Sequence, residues 1–212
     1  MSSSIQSKSA LRKALRKLRR ALPKEVRETK SQAMVSRIRE QPWYAAALKV
    51  AVYYPTSEEV NTLDLAAQAA MDGKTVYWPL VNPRASEKPL RFIPLDPPMA
   101  KPEGLPEQWC RNRYSIWEPQ ADYEAALTPE HLDVVFIPLL GFDDQGNRLG
   151  MGGGHYDATL GAVRLEERPL AVGLGFEFQR LAAIPMEPFD VPMDHIVTED
   201  RVITGASRQN SI

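Results

Sequence analysis

Residues 141 to 157 read Gly-Phe-Asp-Asp-Gln-Gly-Asn-Arg-Leu-Gly-Met-Gly-Gly-Gly-His-Tyr-Asp. Gly150, Gly152, Gly153 and Gly154 fall within five positions, with Arg148 just upstream and Asp157 just downstream. Glycines at this density let backbone N–H groups turn inward and approach an anion closely. A guanidinium forks onto phosphate oxygens, and a carboxylate beside them suits a divalent cation. The glycines alone would equally suit a flexible surface loop. Their charged flanks, set between strand-like and helix-like sequence, favour a phosphate site.

The loop fits none of the common templates. Gly141 to Arg148 nearly spells a P-loop, but Asn147 and Arg148 stand where Lys and Ser or Thr are required. A dinucleotide fingerprint starting at Gly150 needs glycine at 155, where His155 sits. The chain has neither a Gly-x-Ser-x-Gly elbow nor a His-Glu-x-x-His helix.

The elements that must position this loop follow from periodicity. Leu11, Leu15, Leu18 and Leu22 form one apolar stripe over a helix at 8–22, which Pro23 ends. Lys8, Arg12 and Arg16 run beside it at four-residue spacing, and the first twenty residues hold seven basic side chains and no acid. This stripe reads as a solvated face, an RNA-binding edge or a basic edge folded over a polyphosphate; no aromatic stacking residue supports RNA. A second helix is expected at 27–40. Strands are expected at Lys49 to Tyr54, Thr75 to Trp78 (stopped by Pro79), Leu90 to Ile93, Asp133 to Ile137, Leu170 to Phe176 and His195 to Thr198, with helices at Leu63 to Met71 and Tyr156 to Glu166. The proline-rich stretch 94–108 reads as an ordered surface excursion.

Repeated strand-to-helix crossovers imply an α/β fold: a mainly parallel, mixed central sheet with helices on both faces, in a single compact three-layer domain spanning 1–212. Such sheets bind ligands outside the carboxyl ends of their strands, where the glycine loop falls.

Composition adds limits. A chain of 212 residues with 43% apolar and 25% charged side chains is ordinary for a soluble globular protein. The net charge of -1 gives no global pull toward nucleic acid or membrane. Cys110 is the single cysteine, so no intrachain disulfide or cysteine-based metal cage can form. With no apolar run of transmembrane length and no signal-like start, a cytoplasmic protein is expected.

The run Phe142-Asp143 through Gly146, Arg148-Leu149-Gly150, Gly152, Gly154 and Tyr156-Asp157 resembles the signature of the 5-formyltetrahydrofolate cyclo-ligase family, also called 5,10-methenyltetrahydrofolate synthetases. Lys8, Leu11 and Arg12, the Tyr54 to Thr62 segment, Trp117-Glu118-Pro119 and Ile184 to Asp190 are similar to the family in order and spacing. The resemblance implies ATP- and Mg2+-dependent cyclisation of 5-formyltetrahydrofolate to 5,10-methenyltetrahydrofolate, with ADP and phosphate released. It implies ATP contacts at Lys8, Arg12, Arg148, Gly150, Gly152, Gly153, Gly154, His155 and Tyr156. Arg148 and Tyr156 would also serve the chemistry. It implies Tyr54 and Glu59 as folate contacts, and Asp157 with Asp190 as magnesium ligands, Asp194 being the alternative to Asp190. Partners would be small molecules, without nucleic acid or membrane, and the protein a monomer. Trp78, Trp109 and Trp117 suit either a pterin pocket or the core, whereas His131 and His195 read as structural.

His155, Ala158, Phe189 and Asn61 depart from residues common at these family positions. Two other readings therefore stand beside the first: a nucleotide-binding regulatory or thiamine-linked relative without folate turnover, and an RNA-binding protein using the basic N-terminal helix.

Overall fold

The computed structural model describes residues 7–84, 86–97 and 107–206. Most of the proline-rich excursion, at 98–106, lies outside the described residues.

A seven-stranded sheet organises the chain. Its strands are β1 (Lys49–Ala51), β2 (Thr75–Val81), β3 (Leu90–Pro94), β6 (Val134–Pro138), β9 (Leu170–Leu174), β10 (His195–Val197) and β11 (Val202–Thr204), in the spatial order β11-β10-β9-β6-β1-β2-β3. The five central strands run parallel, while β3 and β11 close the two edges antiparallel. Two small hairpins complete the strands: β4 (Trp109–Arg111) with β5 (Trp117–Pro119), and β7 (Gly141–Phe142) with β8 (Arg148–Leu149).

Alternation along the strands sends apolar side chains to two separate cores. Val50, Val76, Trp78, Phe136, Val172 and their neighbours meet α2 (Lys24–Arg39), α3 (Pro42–Ala46) and α4 (Leu63–Met71) on one face. Ala51, Tyr77, Val135, Ile137 and Ile196 meet Leu160 of α5 (His155–Gly161) and Leu139, Phe142 and Met193 on the other. Buried on both faces, the central strands read as near-continuous apolar runs.

Helix α1 (Lys8–Ala21) belongs to neither layer. Ser7 caps it by accepting from the Ala10 N–H at 3.3 Å, and its Leu15 packs with Leu140, Leu149 and Ile184. Full burial of one leucine contributes roughly 2 kcal/mol, and here it fixes α1 over segments leaving the carboxyl end of β6.

Three local expectations are corrected. β2 passes through Pro79 because Phe92, its partner across the β2–β3 ladder, spends its N–H and C=O on Leu127; that pair needs no N–H from Pro79. The Lys49–Tyr54 strand stops at Ala51. The helix after the glycine loop has seven residues, ending at Gly161 rather than Glu166.

Residues 141–149 form a hairpin that carries Arg148 and leads into the glycine loop. Asp143 Oδ1 accepts the N–H groups of Gln145 and Asn147, each at 3.0 Å, and Oδ2 accepts from Ile184 N at 3.0 Å. The near match to a P-loop is therefore a β-turn built around one buried aspartate.

Candidate active site

The glycine loop begins where β8 ends, and α1 lies against it. Arg12 Nε donates to the Gly150 carbonyl at 2.9 Å and Arg16 Nη2 to that of Met151 at 3.5 Å, bridging 138 and 135 residues of chain. Gly152 and Gly154 have φ of 103° and 70°, a left-handed backbone that strains any larger residue. A Cβ on Gly152 would also stand 3.7 Å from the Arg12 guanidinium carbon.

Beneath the loop lie two linked ion pairs. Arg148 Nη2 donates to Asp157 Oδ1 at 2.7 Å, and the Arg148 Nε is buried without a partner. The Val191 N–H reaches the same Asp157 oxygen at 3.1 Å. Its neighbour Asp190 accepts from Lys8 Nζ at 2.6 Å and from Glu187 N at 2.8 Å, with Glu187 itself 3.8 Å from Lys8. The first turn of α1 and residues 187–191 thus meet at this point.

The two carboxylates suit a hard cation. The side chains of Asp157 and Asp190 keep 17% and 14% of their surface open to solvent. Asp194 does not fit: it is 3% exposed, pairs with Arg168 at 3.2 Å and accepts from Ala171 N at 2.8 Å. Among the described residues no three His, Cys, Asp or Glu side chains form a metal cluster by themselves. A magnesium ion here would complete its shell with phosphate oxygens and water, as that ion commonly does.

An aromatic region follows the carboxyl end of β1. Tyr54, Trp109 and Trp78 meet in sequence, with centroids 5.5 Å apart for the tilted Tyr54–Trp109 pair and 4.9 Å for the edge-on Trp78–Trp109 pair. Trp78 is fully buried and Trp109 nearly so, which places both in the core. The Tyr54 hydroxyl and the Trp117 indole N–H are buried without partners, a costly state that a ligand would relieve. Burial pushes the Tyr54 phenol up, while Arg111 pulls it back. Glu59 turns one oxygen to Thr56 N at 2.9 Å and the other toward Arg19 Nη1 at 3.8 Å.

Tyr156 stands between the two regions. Burial holds its phenol well above the ordinary value, the Glu59 carboxylate adds to that rise, and Arg148 opposes it. It packs against the second core at the start of α5. His155, by contrast, turns outward: its ring nitrogens meet the Lys88 carbonyl at 2.7 Å and the Tyr114 hydroxyl at 3.0 Å. Sequence reasoning missed Lys88 and Tyr114. Lys88 brings its ammonium to 3.5 Å from where a Gly154 side chain would begin. Neither residue lies in a periodic element, and only the fold brings them to the loop. Of the departures, Asn61 caps the approach to α4 by accepting from Leu63 N at 3.1 Å, and Phe189 is exposed.

The sequence profile of the 5-formyltetrahydrofolate cyclo-ligase family matches residues 4–199. A 5-formyltetrahydrofolate cyclo-ligase of Escherichia coli strain K12 is 33% identical over 188 residues, covering 89% of this chain and 98% of that one. The enzyme of that name from Haemophilus influenzae is 31% identical over 194 residues, covering 91% and 97%. The solution structure of Aquifex aeolicus 5,10-methenyltetrahydrofolate synthetase superposes with a TM-score of 0.75 at 28% identity, covering 93% of this chain and 92% of that one. A Mycoplasma pneumoniae 5,10-methenyltetrahydrofolate synthetase, at 22% identity and a TM-score of 0.69, shares the fold, covering 92% and 99%.

Proposed function

This chain belongs to the 5-formyltetrahydrofolate cyclo-ligase family and is an enzyme of that class, and from that premise we propose that it closes 5-formyltetrahydrofolate to 5,10-methenyltetrahydrofolate at the expense of ATP. The observation that carries this reading is the meeting of Lys8, Arg12, Arg148, Asp157 and Asp190 around the glycine loop, with Glu59 and Tyr54 leading away from it on the other side.

The chemistry explains why such a site suffices. A formamide carbonyl on N5 is a poor electrophile, because the nitrogen lone pair delocalises into it and its oxygen is a poor leaving group. Transfer of the γ-phosphoryl group to the formyl oxygen breaks the bond to ADP and leaves an iminium-like carbon. N10 attacks that carbon and forms the new C–N bond. N10 then loses its proton, the C–O bond breaks, and phosphate leaves with the former formyl oxygen. No nucleophile from the protein is required, so alignment and charge neutralisation do the catalysis.

The residues divide accordingly. Arg12 and Lys8 supply cations from one face of α1, and the inward amides of Gly150, Gly152, Gly153 and Gly154 wrap the phosphates. Arg148 meets the charge that grows on the transferring group. Asp157 and Asp190 would hold Mg2+, which when bound neutralises phosphate charge. Glu59 accepts from pterin N–H groups and Tyr54 offers a ring face and a hydroxyl. Tyr156, kept as a neutral phenol, donates a hydrogen bond near the formyl oxygen. His155 borders the nucleotide through its place in the loop, and its tie to Tyr114 steadies that border.

Purified protein supplied with ATP, Mg2+ and 5-formyltetrahydrofolate is expected to form the methenyl chromophore, and omission of any one component abolishes it. A folded protein that forms none with all three present would refute the assignment. Among the described residues no helix is long and apolar enough to cross a membrane, and the cyclisation needs only small-molecule partners.

A further inference from the structure

Arg19 is the most deeply buried cation among the described residues, at 2% exposure. Desolvating a guanidinium costs several kcal/mol unless close partners repay it. Its partners here are distant: Glu58 at 3.6 Å, Glu59 at 3.8 Å and the Met151 sulfur at 3.9 Å, while its Nε is buried with none. Glu58 does not depend on it, since the exposed Arg20 already holds that carboxylate at 2.8 Å. What remains distinctive is position. From the last turn of α1, Arg19 reaches the carboxylate that follows β1 and the side chain at the centre of the glycine loop.

The same guanidinium faces a cluster of acidic and phenolic groups. The Tyr53 phenol is raised strongly by burial and further by Glu59 and Tyr156, with Arg19 acting against the rise. Glu59, Tyr53, Tyr156 and Arg19 therefore share one electrostatic environment. In it a loss of the Arg19 guanidinium would leave Glu59 facing buried phenols without the cation nearest to its carboxylate.

We propose that Arg19 is a positioning residue for the folate half of the reaction. It aims the Glu59 carboxylate at the pterin and, through Met151, keeps that carboxylate in register with the nucleotide loop. This role rests on the cyclo-ligase reading of the site. It differs from that of Arg12 and Lys8, which lie about two and three turns toward the start of α1 and face the phosphates.

Steady-state kinetics on the full-length protein test it, varying each substrate at saturating concentrations of the other. Arg19→Met is expected to raise the KM for 5-formyltetrahydrofolate about 10- to 100-fold, the usual range for losing a charged partner. The KM for ATP should move less than about threefold, within the scatter of uncoupled sites. Arg19→Lys should recover part of the folate affinity. Because Arg19 acts through Glu59, Arg19→Met combined with Glu59→Gln should be no more than about twofold worse than Glu59→Gln alone.

Multiplicative losses in the double variant would overturn the proposal. So would a lower kcat with both KM values unchanged and a lowered Tm, the signature of a structural arginine. If Arg19→Met does not fold, the Arg19→Lys and Arg19→Gln pair carries the same comparison. Failure of the wild-type protein to form methenyl product would remove the reading beneath it, and is distinguishable because it appears before any variant is made.

Discussion

The two halves of the site are prepared for their ligands in opposite ways. On the nucleotide side the charges neutralise one another, Arg148 with Asp157 and Lys8 with Asp190, at 2.7 and 2.6 Å. A polyphosphate and its cation must exchange those pairs for new ones. On the folate side little has to be exchanged. Tyr54 meets Trp109 at a tilt and Trp109 meets Trp78 edge-on, and the Tyr54 hydroxyl and the Trp117 indole N–H already lack partners. In the proposed site, ion pairs offset the charge gathered on the phosphate side, whereas packed aromatic rings shape the pterin side. The first half is therefore governed by electrostatics and the second by shape and unsatisfied polar atoms.

Breaking the nucleotide half should have the largest effect. Arg148→Ala removes both a phosphate contact and one partner of a nearly buried pair, so kcat should fall about 100- to 1000-fold. Stability should fall as well, by about 3 kcal/mol, because Asp157 loses its paired guanidinium and keeps only the Val191 N–H. Asp157→Asn separates the two effects. It should retain most of the Tm yet lose activity that extra Mg2+ restores only in part, as judged by differential scanning fluorimetry beside the methenyl assay.

Ionic strength distinguishes the halves without mutation. Partly exposed cations such as Lys8 and Arg12 are screened over about 8 Å at physiological salt. Raising KCl should therefore increase the KM for ATP several-fold while leaving that for 5-formyltetrahydrofolate nearly constant. Equal salt sensitivity of the two constants would erase the distinction.

A subtler test removes the orphaned hydroxyl. Tyr54→Phe deletes a buried polar atom that has no partner in the protein, so stability should hold or rise by up to about 1 kcal/mol. If that hydroxyl meets the pterin, the folate KM should rise about tenfold or less. A fall in Tm with no change in KM would place its role in packing instead.

The smallest expected effect concerns pH. Burial raises the phenols of Tyr53 and Tyr156 above the ordinary value of 10.0, so folding favours their protonated forms. The stability tied to those protons is complete below the unfolded value and is lost as pH climbs through the folded one. Tm should accordingly be flat across neutral pH and decline above about pH 10, and Tyr156→Phe should shallow that decline.

Legibility from sequence follows the same division. The proposed anion-binding half stood out in the sequence because its residue types are concentrated: four glycines, an arginine and an aspartate within ten positions, 148–157, and a basic stripe in register with leucines. That stripe does fold back onto the loop, with Arg12 on Gly150 and Lys8 on Asp190. The mainly parallel sheet was readable from short apolar runs alternating with helical segments. Pro79 misled because its effect depends on which way a neighbouring strand points its N–H groups, a property of pairing and not of local sequence. The β4–β5 hairpin and the edge strand β11 are three-residue strands, too short to carry a pattern. Lys88, Tyr114 and the role of Arg19 depend on contacts made across the fold, which no spacing encodes.

In the proposed reaction the formyl oxygen is phosphorylated and leaves with phosphate. This is tested most directly by following that atom. With 5-formyltetrahydrofolate carrying a heavy oxygen isotope in its formyl group, one turnover in ordinary water is expected to place the label in the released inorganic phosphate, one atom per methenyl product. Unlabelled phosphate, with the heavy oxygen found in water, would mean that ATP is spent elsewhere and would contradict the mechanism built on this site.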